Sequence, residues 1–186
     1  MKRPKALVLW LAAGALVVLL AGAALVAGLY DVSATAKPWA LEEGLANFVV
    51  DRSVGRRAPR GPNPVVVTPD VLGRGLAEYR EHCLVCHSAP GLRPSGIARG
   101  LNPKAPDLAA ADSQEASDGE LFQVISSGIR MTGMPAFSPS ESAETLWKVV
   151  AFVRHLPQLS DAERAALAPP PRARPEGRPE EPSGAH

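Results

Sequence analysis

From Ala6 to Tyr30 no charge interrupts a run rich in Leu, Val and Ala. As a helix at ~1.5 Å per residue the run is roughly 37 Å long, enough to cross a hydrocarbon core of about 30 Å with some tilt. Next, Leu41, Leu45, Phe48 and Val49 share one helical face, with Glu42, Glu43 and Asp51 elsewhere around it, which predicts a short amphipathic helix over 41–51, lying either on a bilayer or on the folded domain. Pro59, Pro62 and Pro64 then keep the chain extended, so 52–69 reads as a semi-rigid spacer.

Helical spacing returns at Thr68-Pro69-Asp70, a cap followed by a proline in the first helical position. Leu72, Leu76, Tyr79 and Cys83 fall at i, i+4, i+7 and i+11, so this helix delivers Cys83 from its buried face. Gly75 either makes room for a second helix or is incidental. Pro90, Gly91, Pro94, Gly96, Gly100, Pro103 and Pro106 then break any long helix, so this stretch must wrap something, with Leu101, Pro106 and Leu108 as candidate lining. Ser117-Asp118-Gly119-Glu120 has the form of a capping box, followed by apolar Leu121, Val124 and Ile125 and a stop at Gly128.

A last helix is expected from about 140 to 156, with Leu146, Val149, Val150 and Val153 inward and Lys148 and Arg154 outward. Ser138 and Ser142 both offer caps, and the sequence does not choose between them. Residues 161–186 read as a Pro-rich tail. One or two helical turns open it, and from about 169 its Pro, Arg, Glu and Gly cannot bury enough apolar area to offset ordering.

Composition narrows this picture. Of 186 residues 46% are hydrophobic, but many lie in the first run, leaving one modest soluble domain; a net charge of +1 gives nucleic acid no footing. Lys2, Arg3 and Lys5 hold residues 1–5 in the cytoplasm, so 6–30 is a transmembrane anchor, 31–69 a linker and the rest lies outside. A cleaved leader ending at Ala34-Thr35-Ala36 is the rival, but the run exceeds the roughly 7 to 15 apolar residues of such leaders. Tyr30 and Trp39 bracket the exit, where amphipathic rings settle at headgroup level.

The candidate chemistry sits in Cys83-Leu84-Val85-Cys86-His87, which holds both cysteines of the chain. The spacing C-x-x-C-H lets two thiols add to the two vinyl groups of a haem while the adjoining imidazole reaches the iron. Zinc would need a second ligand pair, and a redox dithiol would need a neighbouring βαβ pattern; neither is present. In Met131-Thr132-Gly133-Met134-Pro135 a thioether just past a helix, locked by proline, suits the sixth position of the iron. Gly133 and Pro135 favour Met134 over Met131. His82 and His155 read as surface or helix-end residues. Arg52, Arg56, Arg57 and Arg60 read first as a solvated linker, and otherwise as a contact for anionic lipid, haem propionates or an acidic partner.

These residues resemble a class I cytochrome c over about 70–157, within a domain expected at 70–160: the helix with Gly75 and Tyr79, the haem motif, Ala105-Pro106-Asp107-Leu108, the loop from Met131 to Phe137, and the last helix with Leu-Trp-Lys-Val-Val-Ala-Phe. The resemblance implies an all-α fold, three to five helices around one covalently bound haem c, in which Gly75 and Tyr79 meet the last helix near Trp147. It also implies that the Pro106 carbonyl accepts the Nδ1 hydrogen of His87. The anchor with Tyr30 to Thr35, and Ser53 to Ala58, are similar to membrane-tethered bacterial members.

The expected function is single-electron transfer, with no catalysis and no small-molecule substrate, on the periplasmic side of the inner membrane. Expected partners are a quinol-oxidising complex, a dehydrogenase, or a terminal oxidase or reductase. Rival readings are a haem-c subunit of a larger oxidase or dehydrogenase complex, and a haem sensor or peroxidase-like protein whose Met134 leaves the iron.

Overall fold

Helix α1 spans Pro4–Val26 in the computed structural model, which describes residues 4–168. It is long and apolar enough to cross a membrane, and its apolar window is unburied. It stops four residues before the apolar run does. Gly28, at φ 71°, donates to the Leu25 carbonyl at 3.0 Å and Leu29 donates to Ala24 at 3.0 Å, the bond pair that closes a helix through a left-handed glycine. In this first unit, which reaches Leu45, the rings of Tyr30 and Trp39 meet edge to face at 6.2 Å.

The second unit begins at Ala46, inside α2 (Ala40–Arg57). This helix outlasts the expected 41–51 because Val50 and Val54 add a second apolar pair one turn apart. The residues read as spacer are therefore helical up to Arg57, and beyond it they are pinned. Asn63 donates its backbone N–H to Asp118 Oδ2 at 3.0 Å and its side-chain amide to the Trp147 carbonyl at 2.9 Å.

Helix α3 (Pro69–Glu78) starts at its predicted cap, Thr68 Oγ1 accepting from Val71 N–H at 3.2 Å. It continues through a π turn, Tyr79–Cys83, into α4 (Leu84–His87). Single turns follow, α5 (Gly96–Gly100) and α6 (Ala111–Glu115), then α7 (Asp118–Ser127) with its capping box formed. Helix α8 (Ala143–His155) takes Ser142 as its cap, the hydroxyl accepting from Thr145 N–H at 3.1 Å. Helix α9 (Asp161–Leu167) opens on a second capping box, and Leu167 is buried in the core, so the start of the expected tail packs on the domain. The expected disorder from 169 lies outside the described residues. Every described element is helical, as the all-α reading requires.

The core is the crossing of α3 on α8. A Cβ on Gly75 would meet the Lys148 carbonyl and stand 2.6 Å from Cβ of Phe152, so only glycine lets the backbones come this close. Tyr79 packs on Phe152 with ring centroids 5.5 Å apart. The crossing thus falls beside Trp147, as expected, and the Trp147 ring itself stacks on Phe122 of α7 at 4.2 Å. Arg154 departs from expectation and turns inward. Its Nε donates to Asp118 Oδ1 at 2.7 Å, Nη1 to the Gln114 carbonyl at 2.6 Å and Nη2 to the Ala116 carbonyl, satisfying oxygens that the end of α6 leaves without helical partners.

Candidate haem-binding site

A cavity of about 530 Å³ opens in the second unit between α2, the π turn with α4, α7, α8 and the two breaker-rich loops. Its size lies within the ~300–1,000 Å³ usual for ligand pockets. Cys83, Cys86, His87, Pro106 and Met134 all border it, together with Leu101 and Leu108. Met131 does not line it; that side chain is 93% exposed, on a backbone with φ 62°.

Local structure explains the placement. The π turn adds a residue to one turn of helix, with Leu84 N–H bonding back to the Tyr79 carbonyl, and so re-aims Cys83 relative to a regular helix. Cys86 and His87 lie on the one turn of α4, which ends at Ser88 with φ 57°. Two side chains tie this turn down from outside: the Tyr79 hydroxyl donates to the Ser88 carbonyl at 2.6 Å, and the Ser95 hydroxyl to the Val85 carbonyl at 2.5 Å.

His87 Nδ1 lies 2.9 Å from the Pro106 carbonyl oxygen, so Nδ1 carries the hydrogen and Nε2 keeps its lone pair for a metal. Burial lowers the imidazole pKa and the Pro106 bond partly opposes it, which keeps the ring neutral at pH 7, the form that ligates. Met134 is held from both sides. Its carbonyl accepts from Ile129 N–H at 3.1 Å, and its N–H donates to Thr132 Oγ1 at 3.1 Å, whose hydroxyl donates to Ile129 at 2.8 Å.

No disulfide joins the two cysteines. Burial first, then the Glu78 carboxylate and Cys86, push the Cys83 thiol up to about 12, so it stands as a neutral thiol. His82, expected on the surface or at a helix end, lies half-buried in the π turn that continues α3, borders the cavity and is 3.6 Å from Glu78. His155 bonds Glu163 at 3.0 Å. Helix α2 was missed as part of the site: Val50, Asp51 and Val54 line the cavity. The signal was present in the i, i+4 valine pair, but the stronger apolar stripe on the same helix masked it.

Two thiols, an imidazole with Nδ1 engaged and a thioether among apolar walls form a soft donor set that suits haem iron and suits a hard cation poorly. An all-helical domain built this way is a c-type cytochrome domain. More particularly, residues 71–153 match the family model described as cytochrome c oxidase, cbb3-type, subunit III, a span of under half the chain. None of the curated proteins matches it. The domain's activity is haem-based electron transfer.

Proposed function

We propose that this chain is a mono-haem electron carrier tethered by α1 to the periplasmic face of a bacterial inner membrane, with residues 70–160 as the carrying domain. The observation that carries the reading is His87, oriented by Pro106, bordering one cavity together with Met134. The haem, when bound, supplies a reversible Fe(III)/Fe(II) couple. Cys83 and Cys86 would hold it covalently through their two sulfurs. His87 Nε2 and the Met134 sulfur would both ligate the iron, which would leave no place on it for a substrate. The thioether favours the ferrous state, and the apolar walls from α2 and α7 exclude water, which raises the potential further. The tether keeps the carrier at high effective concentration near a donor such as a quinol-oxidising complex or dehydrogenase and an acceptor oxidase or reductase.

Acid acetone extraction and the reduced spectrum test this. Colour that stays with the polypeptide and a low-spin reduced spectrum are expected; extracted colour, or rapid carbon monoxide binding by the wild type, overturns the reading.

A second reading, a haem-c subunit of an oxidase complex, draws on the description of the matching family. Purification from detergent-solubilised membranes separates the two: the subunit co-elutes with a larger haem-containing assembly, while the free carrier elutes alone.

A further inference from the structure

Helix α2 has two apolar faces, and the cavity uses only one. Val50 and Val54 line the cavity. Leu41, Leu45, Phe48 and Val49, at i, i+4, i+7 and i+8, are 80%, 60%, 57% and 55% exposed, and no residue of the helix is buried. The stripe runs on into Arg52, whose guanidinium carbon lies 5.4 Å from the Phe48 ring centroid, and into Arg56 one turn later. Trp39, at the head of the helix, is 71% exposed. Between Val26, where α1 ends, and Ala40 lie thirteen residues. At ~3.5 Å per residue they keep the start of α2 within about 50 Å of the end of α1.

We propose that α2 is an interfacial helix that lies along the lipid surface. Leu41, Leu45, Phe48 and Val49 enter the boundary between headgroups and acyl chains, Arg52 and Arg56 meet anionic headgroups, and the Val50 and Val54 face closes the haem cavity. The wall of the cavity is thereby held on the membrane. The inference rests on reading α1 as a membrane anchor. A groove on a partner protein would also accept an apolar stripe, but arginines continuing that stripe, an aromatic ring at its head and a membrane-length helix just upstream are complementary to an anionic bilayer.

The test uses the full haem-loaded chain in nanodiscs of phosphatidylcholine and phosphatidylglycerol. A nitroxide is placed by Leu45→Cys and, for comparison, by Asp161→Cys at the exposed start of α9. Labelling of the unsubstituted chain checks that Cys83 and Cys86 take up no probe. The Leu45 label is expected to be open to oxygen and severalfold less open than the Asp161 label to a water-soluble nickel chelate. Equal nickel access at both positions overturns the proposal, and low access to oxygen and nickel alike, the mark of a protein groove, overturns it too. Amide exchange on the unsubstituted chain is the second measurement: residues 41–49 should exchange severalfold more slowly in these discs than in discs of phosphatidylcholine alone, and equal rates count against the arginine contacts. An alkaline carbonate wash separates the two readings. A chain that leaves the bilayer sinks the anchor, whereas one that stays, haem attached, with Leu45 open to nickel sinks only the interfacial helix.

Discussion

The Tyr79 hydroxyl reaches across the whole haem pentapeptide to donate to the Ser88 carbonyl at 2.6 Å. Tyr79 is fully buried, and burial, with Cys83 and Asp107 adding, raises its pKa, so the hydroxyl remains a donor. One bond thus links the first residue of the π turn to the residue that ends α4, fixing both ends of the segment that carries Cys83, Cys86 and His87. Tyr79→Phe is expected to lower unfolding stability by about 1–2 kcal/mol, since it keeps the ring packing on Phe152 and leaves the Ser88 carbonyl without its donor. Chemical denaturation in detergent measures this, and an unchanged midpoint counts against the clasp.

The α3–α8 crossing makes a paired prediction. Gly75→Ala should cost about 1–3 kcal/mol, because the new methyl meets the Lys148 carbonyl and Phe152 where neither has room to retreat. Gly73→Ala, two residues away with open space around it, should be neutral or stabilise by up to ~1 kcal/mol through helix propensity. Equal thermal shifts in the two variants contradict the close approach.

Arg154 holds three acceptors on the α6–α7 junction. Its truncation to alanine should cost about 2 kcal/mol, a value between those for exposed and buried pairs because both Arg154 and Asp118 remain partly exposed. Arg154→Lys should restore little, since one ammonium cannot span the fork of acceptors. Full recovery by lysine, read from denaturation midpoints, overturns that account.

Glu163 links stability to pH. The Ser160 hydroxyl and N–H, donating at 2.6 and 2.7 Å, hold its carboxylate at about 2, with His155 adding. The folded value lies below the ordinary 4.5, so the contribution is present above pH 4.5 and disappears as pH falls from there through about 2. Over that window the wild type should lose stability more steeply than Glu163→Gln. Parallel pH profiles in urea titrations speak against the linkage.

The two loop methionines separate by experiment. Met134→Ala should convert the ferrous spectrum to one that binds carbon monoxide and should lower the potential, because the cavity loses its thioether. Met131→Ala should leave both unchanged, its side chain being 93% exposed. A spectral change in the Met131 variant alone reassigns the ligand.

Much of the domain is local chemistry and was legible before any fold was known. Thr68 with Pro69, the Ser117–Glu120 capping box and the apolar run of α1 depend on neighbours within a few residues, so the spacing alone predicts them. The pentapeptide is legible for the same reason: haem attachment requires its two thiols and imidazole to be adjacent in the chain.

What stayed hidden depends on which surfaces meet. Ser138 and Ser142 both carry the local capping pattern and only the structure assigns α8 to Ser142, while the Trp147 ring, beside the α3 crossing, finds its partner in Phe122 of a separate helix. Arg154 turns inward because α6 ends beside it, and the π turn at Tyr79 has no composition of its own. The role of α2 was the largest such gap, for a helix with two apolar faces does not state which face the protein keeps. Periodicity encodes that a face is apolar; the partner it meets is decided by packing between segments distant in sequence, and that information lies in the tertiary structure alone.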